Sequence, residues 1–195
     1  MDNSYESDKL LGEYLLFHYG QDEQLMPWPN GPKNGLRFPV RTVRELIDTS
    51  SLPSTPSRAF DVGCSVGRST FEIASFCDEV IGCDLSHSFI SAARSLVNEK
   101  ELPYTYLEEG DFYRSALAKA EFDSSKQISF LVEDACSLPT KLNGFDLVHA
   151  ANLICRLPDP SLFLNRLPHL VKPGGQLLLA TPFTWLKEYT PRDNW

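Results

Sequence analysis

Residues 59–70 read Ala-Phe-Asp-Val-Gly-Cys-Ser-Val-Gly-Arg-Ser-Thr, a short apolar run closed by two glycines. Gly63 and Gly67 lack a Cβ, so the chain there can take positive φ and let a polar small molecule lie against main-chain N–H groups at the start of a helix. A second apolar run, residues 79–84, ends on Asp84, 21 residues beyond Gly63. An acidic residue about 20 positions after the glycine turn ends the second strand of nucleotide-binding doubly wound folds and reaches ribose hydroxyls. Turn and acid together predict an adenosine-type cofactor. The dinucleotide pattern G-x-G-x-x-G is absent, because Asp61 precedes the first glycine and Ser65 occupies the middle of the turn.

Asp61-x-Gly63-x-x-x-Gly67 resembles motif I of the class I S-adenosylmethionine-dependent methyltransferases, with Ser65 in place of the usual third glycine. The resemblance implies S-adenosylmethionine as cofactor, held by Asp61, Gly63, Cys64 and Gly67 from the turn and by Asp84 and Leu85 from the second strand. Two further pieces fit that scheme. Asp134 ends a third apolar run, where it would accept from an adenine amino group while Ala135 supplies a backbone N–H, and Asn152 ends a fourth. All of these positions then lie at carboxyl ends of strands, the crevice where open α/β sheets bind ligands.

The elements that must hold them there follow from pattern. Strands are expected over residues 59–62, 79–84, 128–133, 145–152 and 176–181, alternating with helices over 71–76, 88–100 and 160–170. Alternation of this kind predicts a doubly wound, Rossmann-like α/β fold with a mostly parallel sheet of about five strands. Residues 104–107 are expected to form a local strand or hairpin, residues 112–120 a short helix, and residues 172–175 a turn. Ahead of the sheet, residues 1–57 read as a helical cover and residues 58–195 as the cofactor-binding domain. In the cover, Ser7 caps an amphipathic helix ending at Gly20, the Pro-, Gly- and Asn-rich residues 26–35 form a loop or lid, a second helix runs over 38–48, and residues 49–57 form a linker.

A closer resemblance lies in Tyr5-Glu6-Ser7-Asp8, Glu13-Tyr14-Leu15-Leu16-Phe17-His18-Tyr19-Gly20, Met26-Pro27-Trp28-Pro29, Phe38-Pro39-Val40-Arg41-Thr42-Val43, the glycine turn, Val80 through Ile90, Ala150 through Pro160, and Thr181-Pro182-Phe183-Thr184-Trp185-Leu186. Together they resemble the 4-mercaptohistidine N1-methyltransferase family, the module at the carboxyl end of ovothiol synthases. This implies methylation of a ring nitrogen of 4-mercaptohistidine, with a thiohistidine-like small molecule as partner. His18, Tyr19 or Asp8 would take the displaced ring proton, Asn152 would stand beside the reacting centre, and Tyr14, Arg41 and Arg156 would hold the acceptor. Each residue also has a plainer reading: His18 as helix packing, Asp134 as a turn residue, Asn152 as a strand cap, Arg41 and Arg156 as solvated charges. Trp28 and Trp185 are expected as lid or core aromatics, His149 as a core or back-face residue of the fourth strand, and His87 and His169 as helix-surface residues.

Class I methyltransferases continue past the fifth strand into two more strands, which are expected to be missing here. The open edge left behind is a place for a partner or for self-association. A non-catalytic donor-binding protein, or a methyltransferase for another small acceptor, are the competing expectations. The net charge of −8 argues against a broad nucleic-acid or anionic-membrane footprint. The five cysteines stand singly, with no C-x-x-C pair, so neither a metal site nor a disulfide framework is expected. No apolar leader or membrane-length run is present, which predicts a cytoplasmic protein.

Overall fold

The computed structural model describes residues 4–54 and 57–195, so the readings that fall on residues 1–3 and on the 55–56 part of the linker lie outside it. In chain order the elements are α1 (Asp8–Tyr19), α2 (Asp22–Leu25), α3 (Phe38–Arg44), β1 (Arg58–Val62), α4 (Arg68–Ile73), β2 (Glu79–Asp84), α5 (His87–Glu99), β3 (Glu101–Glu109), β4 (Phe112–Lys119), β5 (Gln127–Val132), β6 (Phe145–Ala151), α6 (Pro160–Leu170) and β7 (Val171–Ala180). Five strands make one sheet in the order β5-β2-β1-β6-β7. Every neighbouring pair in it is parallel. Strands covered on both faces need mainly apolar runs, and β6, beside the central β1, is buried along all but its last residue, Asp146 and His149 included.

Two apolar layers flank the sheet. On one side Phe60 stacks on Phe145 at 4.9 Å, beside Val148, Phe163 and Leu170. On the other, Phe71, Phe89, Ile90 and Phe130 pack with Leu15 of α1 and with Tyr104 and Tyr106 of β3. Each buried phenylalanine contributes about 1.5–3 kcal/mol. The N-terminal cover is therefore fixed by the same core that fixes the sheet.

Residues 112–120 do not form the expected helix. The stretch Ser-Ala-Leu-Ala-Lys has good helix formers, but β4 pairs antiparallel with β3 from Glu101↔Lys119 to Glu109↔Phe112. Long-range pairing and burial of Ala118 against α1 and α5 override local propensity there. The second cover helix ends early, at Arg44. The short α2 is an addition, closed by reciprocal bonds between Gln21 and Gln24. Residues 172–175, expected as a turn, lie within β7 instead, at an irregularity of its ladder with β6: Val171 pairs with Phe145 and Gln176 with Leu147, and Gly174 takes φ 82° between them. Among the described residues no helix is long and apolar enough to cross a membrane.

Candidate active site

The sheet order reverses between β1 and β6, and there the strand ends open into a cleft of about 530 Å³. Its floor is the glycine turn, residues 63–67. Gly63 has φ 73°, and a Cβ on it would come within 2.9 Å of Leu153; Gly67 has φ 85°, and a Cβ would strike the Phe130 ring at 2.7 Å. Glycine is thus favoured at both by conformation, and at Gly67 the buried Phe130 ring also leaves no space for a Cβ.

The N–H groups of Gly63, Cys64, Ser65 and Gly67 are taken within the protein and are not offered to a ligand as expected. Gly63 and Cys64 both donate to the Cys83 carbonyl, at 2.8 and 2.9 Å, and Gly67 donates to Cys64 at 3.0 Å. Ser65, itself at φ 53°, donates its N–H to Asp84 at 2.9 Å. What the turn provides is a surface locked to the end of β2, with Gly63 and Ser65 facing the cleft.

Asp61 acts beneath that surface. It is buried, and its carboxylate accepts from Ser69 (2.7 Å) and Thr70 (2.6 Å) in the first turn of α4 and meets His149 Nδ1 of β6 at 2.7 Å. Burial alone would push its carboxyl upward; the charge and hydrogen bond of His149, with the two hydroxyls, outweigh this and hold it below the usual range. The other His149 nitrogen lies 3.1 Å from the Thr42 hydroxyl of α3. A polar chain thus runs from the cover helix through the sheet to the turn. The sequence reading placed His149 in the core; the signal it lacked was the β1 to β6 register, which sets Asp61 directly opposite His149.

Asp84, at the end of β2, accepts from Ser65 N–H on one oxygen and from Ser86 N–H on the other, at 2.9 and 3.0 Å. Burial pushes its carboxyl up, against those two backbone bonds. Asp134 accepts from Cys136 N–H at 2.8 Å and faces the cleft beside Ala135. Asn152 lines the cleft in the left-handed region at φ 55°, its N–H held by Ala180.

Opposite the strand ends stands a wall of rings from the N-terminal segment: Tyr5, Tyr14, Phe17, His18 and Phe38, with Phe89 of α5. Tyr14 packs at 4.6 Å on Phe89 and stacks at 6.0 Å on His18. His18 Nδ1 is buried without a partner among the described residues. Desolvation pushes its imidazole down to about 3, so it is neutral near pH 7. Glu13 and Arg156 are the charged side chains of this half. Arg156 donates to Thr184 O at 2.9 Å and lies 5.0 Å from the Tyr189 ring.

Of the residues picked from sequence, the cleft brings together Tyr14, His18, Gly63, Asp84, Leu85, Asp134, Ala135, Asn152 and Arg156. Asp61, Cys64 and Gly67 lie behind its surface as supports. Tyr19 is corrected as a proton acceptor: its hydroxyl is buried, donates to Val66 O at 2.9 Å, and burial raises it well above its usual range. Asp8 is exposed and outside the cleft lining. Arg41 is corrected as an acceptor contact, being spent on Glu45 and on the Asn34 carbonyl at a separate surface pocket. Residues 26–35 do not form a lid over the cleft, and Trp28 is 70% exposed. Tyr5, Phe17 and Phe38 carry the wall but had no assigned role, because only long-range packing brings them together.

A family model described as a methyltransferase domain matches residues 60–179. The chain is 26% identical over 121 residues to a ubiquinone biosynthesis O-methyltransferase of Coxiella burnetii, covering 62% of this chain and 42% of that protein. To the protein of the same description from Xanthomonas oryzae pv. oryzae it is 25% identical over 153 residues, covering 78% and 54%. The chain spans about half the length of these relatives. Phosphoethanolamine N-methyltransferase 2 of Haemonchus contortus, solved with S-adenosyl-L-methionine, superposes with a TM-score of 0.57 at 20% identity, over 91% of this chain and 34% of that one. The YcgJ protein of Bacillus subtilis gives 0.50 at 18% identity, over 67% and 46%. At these identities the structures speak for the fold.

Proposed function

The chain belongs to the methyltransferase domain family, and on that premise we propose that it binds S-adenosylmethionine and transfers its methyl group to a ring nitrogen of 4-mercaptohistidine. The observation that carries the donor half is the convergence of Gly63, Asp84, Asp134 and Asn152, from four different strand ends, on one cleft. Asp84 would accept from the ribose hydroxyls with the oxygen lone pairs its two backbone bonds leave over, and Asp134 from the adenine amino group. The amino acid end of the donor would lie across the glycine turn.

The acceptor half is supported by chemistry. A planar imidazole suits the walls of Tyr14, Phe38 and Phe89, and a carboxylate suits the Arg156 fork. A neutral ring nitrogen attacks the sulfonium methyl in line; the N–C bond forms, the C–S bond breaks, and the sulfur keeps the electron pair as S-adenosylhomocysteine leaves. The donor is already activated, so positioning supplies most of the rate. His18, neutral and with an unpartnered Nδ1, is recast from base to hydrogen-bond acceptor. By accepting the N–H of the substrate ring it would leave the opposite nitrogen with its lone pair toward the methyl. The methylated ring then loses that proton to water.

Calorimetric titration with S-adenosylmethionine, followed by chromatography for S-adenosylhomocysteine with 4-mercaptohistidine, histidine, phosphoethanolamine and a catechol as acceptors, tests both halves. Turnover with the thiohistidine is the expected result. Binding with turnover of another acceptor replaces the acceptor assignment, binding without turnover of any acceptor leaves a donor-binding protein, and absence of binding overturns the whole reading.

A further inference from the structure

We propose that the outer edge of β4 is a self-association surface, on which a second copy of this chain lays its own β4 antiparallel, with Ser115 opposite Ser115. β3 and β4 form a two-stranded sheet with no third strand among the described residues. An isolated two-stranded ribbon is marginal, and its unpaired edge is a template for another strand. The two edges differ. β3 is interrupted by Pro103 and backed by α1, which sits so close that a Cβ on Gly12 would fall 2.1 Å from the Thr105 carbonyl oxygen. β4 carries no proline, and although α1 also packs on its inner face at Ala118, it exposes Phe112 (75%), Tyr113 (59%) and Leu117 (41%).

The sequence of β4 is complementary to itself in one register. Antiparallel pairing of two copies about a two-fold axis normal to the ribbon sets residues of the same face opposite each other, so the axis passes through a residue. Centred on Arg114, it would place two guanidinium groups face to face, which is repulsive. Centred on Ala116, it sets Tyr113 against Lys119 and Asp111 toward Glu121, a like charge. Centred on Ser115, it sets Tyr113 against Leu117 within β4 and brings Asp111, in the turn just ahead of β4, beside Lys119, which on its own chain pairs with Glu101 at 2.8 Å; symmetry makes each contact twice. Tyr113 and Leu117 share the outer face with their cross-strand neighbours Leu107 and Pro103. Pairing therefore joins two apolar strips into one. The open edge of β7 exposes Leu177 and Leu179 but has no charged residue between Gln176 and Ala180 to select a register.

Sedimentation of the full chain over a concentration series tests this, with Tyr113→Lys and Asp111→Lys as variants. A monomer–dimer equilibrium is expected, weakened roughly tenfold or more by either change with the melting temperature held. Register is read by mild oxidation of Ser115→Cys, whose symmetric Cβ pair is close enough for a disulfide, with Arg114→Cys and Leu117→Cys as controls. Covalent dimer at position 115 alone upholds the pairing. A chain monomeric at all concentrations, a dimer indifferent to position 113, or equal cross-linking at 114, 115 and 117 overturns it.

Discussion

The two halves of the cleft are built by different means. On the strand side the polar groups are held by backbone: Cys83 O takes two N–H groups of the glycine turn, and Asp84 takes Ser65 and Ser86 N–H. On the helical side the groups are side chains on separate elements, Tyr5, Tyr14, His18, Phe38 and Arg156, placed by packing. The first kind of site is rigid before any ligand arrives, because its hydrogen bonds are already made. The second is set by where α1 and α3 come to rest.

If this contrast holds, damage to the strand side should appear as lost stability and lost donor binding, and damage to the helical side as altered acceptor kinetics. The largest effect is expected from Asp61→Ala, which strips Ser69 and Thr70 of their acceptor and leaves His149 buried without its carboxylate. Breaking such a buried pair costs about 3–5 kcal/mol, read by chemical denaturation. Asp84→Ala should weaken S-adenosylmethionine roughly 100-fold in calorimetry, as two charge-assisted bonds are lost. The acceptor KM should stay put. Because burial raises the Asp84 carboxyl, its acceptor power is lost on acidification earlier than for an ordinary carboxylate. Wild-type donor affinity should fall through that window while the Asp84→Ala variant stays flat.

His18→Phe sharpens the contrast from the other side. The folded His18 sits at about 3 against an ordinary value of 6.5. Between these values only the unfolded chain takes the proton, so the neutral ring's contribution is full above 6.5 and is lost as the pH falls. Wild-type stability should decline by up to about 1.4 kcal/mol per pH unit more than that of the variant in this window. Acceptor turnover, with donor binding intact, should drop as well. Arg156→Gln is expected to raise the acceptor KM roughly tenfold and leave donor affinity unchanged. Arg41→Ala, on the outer face, should change neither in the same assays.

Legibility in the sequence follows the same division. The positions of Gly63, Gly67 and Asp84 were readable because local chain geometry sets them, glycine where φ is positive and a carboxylate where a parallel strand ends; Asp61, expected to hold the cofactor, is instead buried against His149, which takes the β1 to β6 register. β6 was readable from its mainly apolar run, broken only by Asp146 and His149. β4 was not, since Ser115 to Lys119 favour a helix by themselves and turn to strand only on meeting β3. Arg41 and Arg156 look alike in sequence; one meets Glu45 a turn away on its own helix, the other faces the cleft. The use of the turn's N–H groups by Cys83 was hidden too, because it needs the register of β1 on β2.

Gly12 contacts no part of the cleft, yet α1 presses on β3 at that residue, with room for a hydrogen and none for a methyl. The helix carrying Tyr14 and His18 is therefore seated by the hairpin behind it. Acceptor preference in this protein can drift by exchange of a remote spacer, at position 12 or in the strand it rides on, while every ligand-facing residue stays the same.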